Sequence, residues 1–141
     1  MIVLDTNVLS ALMLKVPDQP VVSWLDRQPA ESVWTTSISV FEIRFGLTIL
    51  DDGRRKDRLL NAFARVLDEE LAGRVLDFDR TTAEETAALL AERRRAGRML
   101  EIRDAMIAGI VRARRATLAT RNVRHFTDTG TSIVDPWTDQ L

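Results

Sequence analysis

Three carboxylates stand where hydrophobic patterning disfavours them. Asp5 follows directly on the apolar run Ile2, Val3 and Leu4 in MIVLDTNVL. Glu42, in TSISVFEIRFGL, has Ile38, Phe45, Gly46 and Ile49 at helical spacings, and Asp104, in EIRDAMIAGIV, has Ile107, Ala108 and Val111 likewise. Each acid also has a structural explanation. Asp5 can start a helix, Ser39-x-x-Glu42 reads as a capping box with Ser39 at the N-cap, and Asp104 suits the first turn of a helix, where the macrodipole favours an anion. For Glu42 taken alone, the cap is the stronger reading. Together the three make a pattern. An ionised carboxylate on an apolar face needs a cation or hydrogen-bond donors, and three that converge with no Lys or Arg among them repel one another and take up protons more readily, unless a divalent cation neutralises them. The chain has no cysteine and one histidine, His125. Ligation would therefore be by oxygen, which selects Mg²⁺ or Mn²⁺ over zinc.

The elements that must position these acids alternate. Short apolar runs of strand type fall at 2–4, 32–35, 75–78, 117–119 and 132–134, and helix-patterned stretches at about 6–13, 20–28, 38–50, 54–71, 82–96 and 103–115,. Proline and glycine at positions 17, 20, 29, 53, 73 and 97 punctuate them,. Apolar strands joined by helices predict an α/β fold: a three-layer α/β/α sandwich around a five-stranded, mostly parallel sheet. Ligands of such sheets bind outside the carboxyl ends of the strands. Polar residues cluster there, with Asp5 after the first strand, Thr36, Ser37 and Ser39 after the second, and Thr120, Arg121 and Asn122 after the fourth. Asp79 and Arg80 after the third read equally as a helix start.

Size and charge bound the function. A chain of 141 residues with 45% hydrophobic side chains is expected to form one domain, residues 1–141,. No apolar run approaches the ~20 residues that span a bilayer, and the default compartment is a reducing cytoplasm. Net charge is −1, but residues 93–124 carry ten arginines against Glu101 and Asp104. Such a segment suits a polyanion, since the guanidinium fork matches phosphate; solvated helix faces in an Arg- and Ala-rich chain are the plain alternative.

Asp5-Thr6-Asn7 after a strand, Ser39-x-x-Glu42 with Gly46, Asp104-Ala105-x-Ile107-Ala108, Thr120-Arg121-Asn122 and the closing Val134-Asp135-Pro136-Trp137, in this order, resemble the PIN-domain ribonucleases. The resemblance is to VapC toxins of type II toxin–antitoxin modules and their FitB-like relatives. It implies a PIN-like fold, a Mg²⁺- or Mn²⁺-dependent endoribonuclease, a homodimer, a VapB-type antitoxin as partner, and assembly with that antitoxin on operator DNA. The family's acidic metal positions fall on Asp5, Glu42 and Asp104, and its supporting positions on Asn7, Ser39 and Thr120. One departure is Asn122, where the family often supplies a fourth acid; an amide is a neutral, weaker ligand, which leaves the number of metals open.

The mechanism these residues suggest has Asp5 and Asp104 as principal ligands, directly or through water, and Glu42 as a ligand or as the base that orients the attacking water. Arg121, Arg98, Arg112 and Arg115 are the candidates to position the RNA backbone, and such contacts do not specify sequence. His125 reads as a surface or hydrogen-bonding histidine rather than a ligand. A haloacid-dehalogenase-type phosphotransferase is disfavoured, because it needs an acid where Asn7 stands. So is a receiver domain, which needs paired acids at the first strand and a lysine near the fifth. A rival from another class is a PIN-fold module that binds nucleic acid beside a DNA-binding partner and cuts weakly or not at all, and Asn122 is its best argument.

Overall fold

The computed structural model describes residues 1–139. Five strands, β1 (Ile2–Leu4), β2 (Val33–Thr36), β3 (Val75–Leu76), β4 (Thr117–Ala119) and β5 (Ser132–Val134), form one parallel sheet in the order β3-β2-β1-β4-β5. The register pairs Ile2 with Val33 on one side and with Thr117 on the other. The chain lays its first three strands outward from β1, then returns across the sheet to place β4 on β1's free side. The order therefore reverses between β1 and β4. In open α/β sheets ligands bind at the carboxyl ends of the strands beside such a reversal.

Both faces of the sheet are covered. Helices α1 (Thr6–Met13), α2 (Gln19–Asp26), α3 (Ser37–Thr48) and α4 (Arg54–Arg65) pack on one face, and α5 (Arg80–Arg95), α6 (Ile102–Arg114) and α7 (Val123–Phe126) on the other. Successive strand residues face opposite layers: Leu4 and Ala119 join the α1–α4 core, while Val3 and Leu118 join the α5–α7 core. This is why the strands read as unbroken apolar runs rather than alternating ones. No helix of the described residues is long and apolar enough to cross a membrane.

Local chemistry sets the ends of the elements that carry the site. Asp5 is the N-cap of α1, Thr36 that of α3, and Glu101 that of α6, its Oε2 accepting from the N–H groups of Arg103 (2.9 Å) and Asp104 (3.2 Å). The expected capping box is displaced. Ser39 is not the cap; its N–H donates to Thr36 Oγ1 at 3.1 Å, which leaves the Glu42 carboxylate free for other partners. α5 and α6 pack closely because Gly109 faces Thr86: a Cβ on Gly109 would lie 1.9 Å from Thr86 Oγ1. The helix expected over 54–71 ends as α at Arg65 and continues as a wider π turn over Val66–Glu70, closed by Leu71 N–H to Val66 C=O at 2.9 Å. The wider turn brings Val66 and Leu71, five apart, into the core together,. β3 stops at Leu76 instead of 78, because the Phe78 N–H turns to Ser37 Oγ (3.2 Å) rather than to a strand.

Candidate active site

Asp5 leaves β1 at the point of strand reversal and is 4% exposed. One carboxylate oxygen accepts from the Thr6 N–H (2.8 Å); the other accepts from the Thr120 hydroxyl (2.7 Å) and the Asn7 side-chain amide (3.3 Å). Thr120 arrives from β4, the neighbouring strand, so the closest support of Asp5 spans the reversal. Its hydroxyl oxygen also accepts from Asn7 Nδ2 (3.2 Å) and the Asn122 N–H (3.0 Å), while Asn7 Oδ1 accepts from the Arg121 N–H (3.1 Å). Asn7 and Thr120 thus join the loops after β1 and β4 around one buried carboxylate. Asn122 enters through its backbone, and its side chain makes no capping bond to α7.

Glu42 approaches from α3. The Thr6 hydroxyl lies 3.1 Å from Glu42 Oε1 and 2.9 Å from Ser39 Oγ, so it can donate to either, and Ser39 is fully buried beside it. Thr6 is a connecting residue that the sequence pattern did not single out, although it stands between two residues that it did. The apolar neighbours expected to bury Glu42 are largely uncovered: Phe45 is 55% and Ile49 68% exposed. They form an outward stripe with Phe41, which stacks on Phe45 at 6.1 Å.

Asp104 lies in the first turn of α6, with Oδ2 3.2 Å from His125 Nδ1. His125 is therefore a hydrogen-bonding histidine at the surface, as its position suggested. The expectation that no cation stands among the acids needs correction. Arg103 Nη1 is 3.7 Å from Glu42 Oε2, and its Nε is 3.1 Å from Glu101. A residue one step from Asp104 in sequence turns back over Glu42, which only the packing of α3 against α6 allows.

All three acids hold protons more tightly than their ordinary values. Burial is the main cause at each. At Asp5 it outweighs the lowering by the Thr120 and Thr6 hydrogen bonds, and the Asp104 charge adds to the rise. At Glu42 burial outweighs the Thr6 hydrogen bond and Arg103, with Asp5 and Glu101 adding to it; at Asp104 it outweighs His125, with Glu101 and Glu42 adding to it. Each acid of the trio thus feels the charge of another. The N-termini of α1, α3 and α6 meet here, and their partial positive charge suits an anion. An all-oxygen donor set suits Mg²⁺ or Mn²⁺ chemically, and an ion there would bind the ionised carboxylates in competition with protons. Among the described residues no three Asp, Glu or His side chains are close enough to hold one ion directly.

The arginines divide by position. Arg98, between α5 and α6, is on the Asp104 end of that helix pair and pairs with Asp128. Arg121 follows Thr120, and its guanidinium lies 4.7 Å over the Trp137 ring. Arg112 and Arg115 are elsewhere. At ~1.5 Å per helical residue they stand roughly 12 and 16 Å along α6 from Asp104, toward the amino ends of the strands. Arg112 pairs with Glu85 (3.4 Å) and Glu92 (3.9 Å). Their proximity in sequence to the acids did not survive the folding of α6. A cleft of about 580 Å³ among α1, α2 and α4, with Leu12, Val22, Leu25 and Ala62 in its wall, is separate from the carboxylates.

The PIN domain family profile matches residues 2–131. The plasmid stability protein StbB of Pseudomonas syringae pv. tomato is 39% identical over 97% of this chain and 99% of its own length. The VapC ribonuclease Y4jK of Sinorhizobium fredii is 37% identical over 97% and 98%, and the toxin FitB of Neisseria gonorrhoeae 32% identical over 99% and 100%. Among solved structures, FitAB bound to an IR36 DNA fragment superposes with a TM-score of 0.87 at 32% identity, covering 97% of this chain and 96% of that one.

Proposed function

The chain belongs to the PIN-domain family, in the branch of VapC ribonucleases and the FitB toxin, and from that premise we propose that it is a Mg²⁺- or Mn²⁺-dependent endoribonuclease, the toxin of a type II toxin–antitoxin pair. One observation carries the reading. Asp5, Glu42 and Asp104, from three distant parts of the chain, meet at the carboxyl edge of the sheet where strand order reverses, and each raises another's proton affinity. A structural cap needs no such company.

Asp5 and Asp104 would hold the ion, with Thr120 and Asn7 orienting the Asp5 carboxylate. When bound, the ion supplies Lewis-acid stabilisation of the charge that develops on the scissile phosphate. Glu42, whose Oε1 lies 3.1 Å from the Thr6 hydroxyl, would accept the proton of the attacking water, and burial shifts its pKa toward the range a general base needs,. Water's oxygen bonds to phosphorus, the P–O bond to the leaving ribose breaks, and that oxygen takes a proton from solvent. Arg103, 3.7 Å from Glu42, together with Arg121 and Arg98 from the loops after β4 and α5, would hold the RNA backbone.

The partners follow from the same premise. A VapB-type antitoxin and assembly on operator DNA are supported by the FitAB–DNA neighbour, and the uncovered stripe of Phe41, Phe45 and Ile49 supports a homodimer. A cytoplasmic site of action is expected. The test is cleavage of an end-labelled structured RNA in Mg²⁺, Mn²⁺ or EDTA. Cutting with either metal, absent in EDTA and in both Asp5→Ala and Asp104→Ala, is expected; RNA retention without cutting in either metal would leave only a nucleic-acid-binding module.

A further inference from the structure

The segment after β5 reaches across to α2 and is fastened there. Trp137 Nε1 donates to Asp18 Oδ2 (3.3 Å), Trp24 Nε1 donates to Asp139 Oδ2 (3.3 Å), and Arg27 donates to the Asp139 carbonyl (3.0 Å). The Trp137 N–H closes the turn on Asp135 Oδ1 at 2.9 Å. Trp137 packs against the α1–α4 core and carries the Arg121 guanidinium on its ring.

Arg121 is held at both ends. Its N–H is fixed to Asn7 within the network around Asp5, and its side chain rests on Trp137. Among the described residues no carboxylate lies within 4.0 Å of its guanidinium, in contrast to Arg98, Arg103 and Arg112, each of which has an acidic partner. An acid would neutralise the charge. An aromatic face orients a cation without neutralising it, and the planar fork remains able to bind phosphate bidentately.

We propose that Trp137, through the C-terminal hook on α2, is a positioning residue that presents Arg121, whose backbone is tied through Asn7 to the network around Asp5, as a phosphate clamp. The inference rests on the ribonuclease reading and adds to it how one arginine is oriented and which distant residues orient it. Strain or loss of the hook would be felt at the RNA backbone before it is felt at the acids.

The experiment measures binding of a fluorescein-labelled RNA hairpin by anisotropy, in EDTA, over a series of salt concentrations. Arg121→Ala is expected to weaken binding about tenfold and to flatten the plot of log K against log [salt] by ~0.7–0.9. Trp137→Leu should reproduce both effects, Trp137→Phe should retain most of the affinity, and Trp137→Leu with Arg121→Ala should bind no worse than Arg121→Ala alone. Arg121→Lys, which leaves the hook intact and the charge present, should lose most of what Arg121→Ala loses. The proposal is overturned if Arg121→Lys binds as wild type, or if folded Trp137→Leu keeps wild-type affinity while Arg121→Ala does not. Failure of the ribonuclease reading is separate, since it would appear as no cleavage in either metal by the wild type.

Discussion

Replacing Thr120 by valine keeps the shape of a fully buried side chain and removes one hydroxyl. That hydroxyl donates to Asp5 Oδ2 at 2.7 Å and accepts from Asn7 Nδ2 and the Asn122 N–H. A hydrogen bond to a charged group contributes about 1.5–3 kcal/mol, and because Asp5 is 4% exposed water cannot readily replace the donor. The two lost acceptor contacts lie nearer the surface and add about 1 kcal/mol at most. The expected loss is about 2–4 kcal/mol near pH 7, read from urea unfolding in EDTA. Its pH dependence identifies the cause. Burial holds the folded pKa of Asp5 above 3.8, and Thr120 opposes that rise, so Thr120→Val lifts the folded pKa further. The variant's deficit is therefore full above that pKa and shrinks as pH falls through it toward 3.8, where a protonated Asp5 no longer needs the donor. Thr120→Ser should recover most of the loss. A deficit below about 0.5 kcal/mol, or one that is the same at pH 7 and pH 4, would refute the idea that this hydroxyl stabilises an ionised Asp5.

Asp104→Asn should stabilise the metal-free protein by about 0.5–1 kcal/mol. Its folded pKa is raised, so the ionised form costs stability above that pKa; the gain should be larger at pH 7 than at pH 4, and Mg²⁺ should raise the melting temperature of wild type more than that of the variant. Gly109→Ala forces a methyl to 1.9 Å from Thr86 Oγ1. Overpacking of ~1–3 kcal/mol outweighs the helix-propensity gain of ~1 kcal/mol, so thermal denaturation should show a loss that Thr86→Ala added to Gly109→Ala recovers only in part, because the Cβ and Cα of residue 86 would still lie 3.0 and 3.2 Å from the new methyl. Arg115→Gly relieves a left-handed residue, φ 51°, and should raise stability by about 0.5–1 kcal/mol. Because the position lies away from the acids, RNA anisotropy should be unchanged.

Much of this was open to a reader of the residues, for local reasons. Unbroken apolar triplets such as Ile2–Leu4 announce strands covered on both faces, and the acids were conspicuous because charge at core spacing is expensive wherever it falls. What escaped was set by contacts between distant segments. Ser39 looked like a cap because S-x-x-E is a local pattern, yet Thr36, one residue earlier than the helix itself, holds that position. α7 has four residues, too few to show a period, and is anchored by buried Phe126. Phe45 and Ile49 were assigned to a core face because apolar spacing marks a side of a helix without saying what lies opposite.

The sequence by itself determined the alternation of strands and helices, the family, and the three acids, since each depends on residue type and short-range spacing. Tertiary structure decided which groups stand beside them. Thr120 reaches Asp5 because β4 pairs with β1, Arg103 reaches Glu42 because α6 begins beside α3, and Arg121 lies on Trp137 because the chain's end is fastened to α2. Arg112 and Arg115 left the site for the converse reason: a helix carries residues close in sequence steadily away along its axis, while a parallel sheet gathers the carboxyl ends of its strands, however far apart in sequence, at one edge.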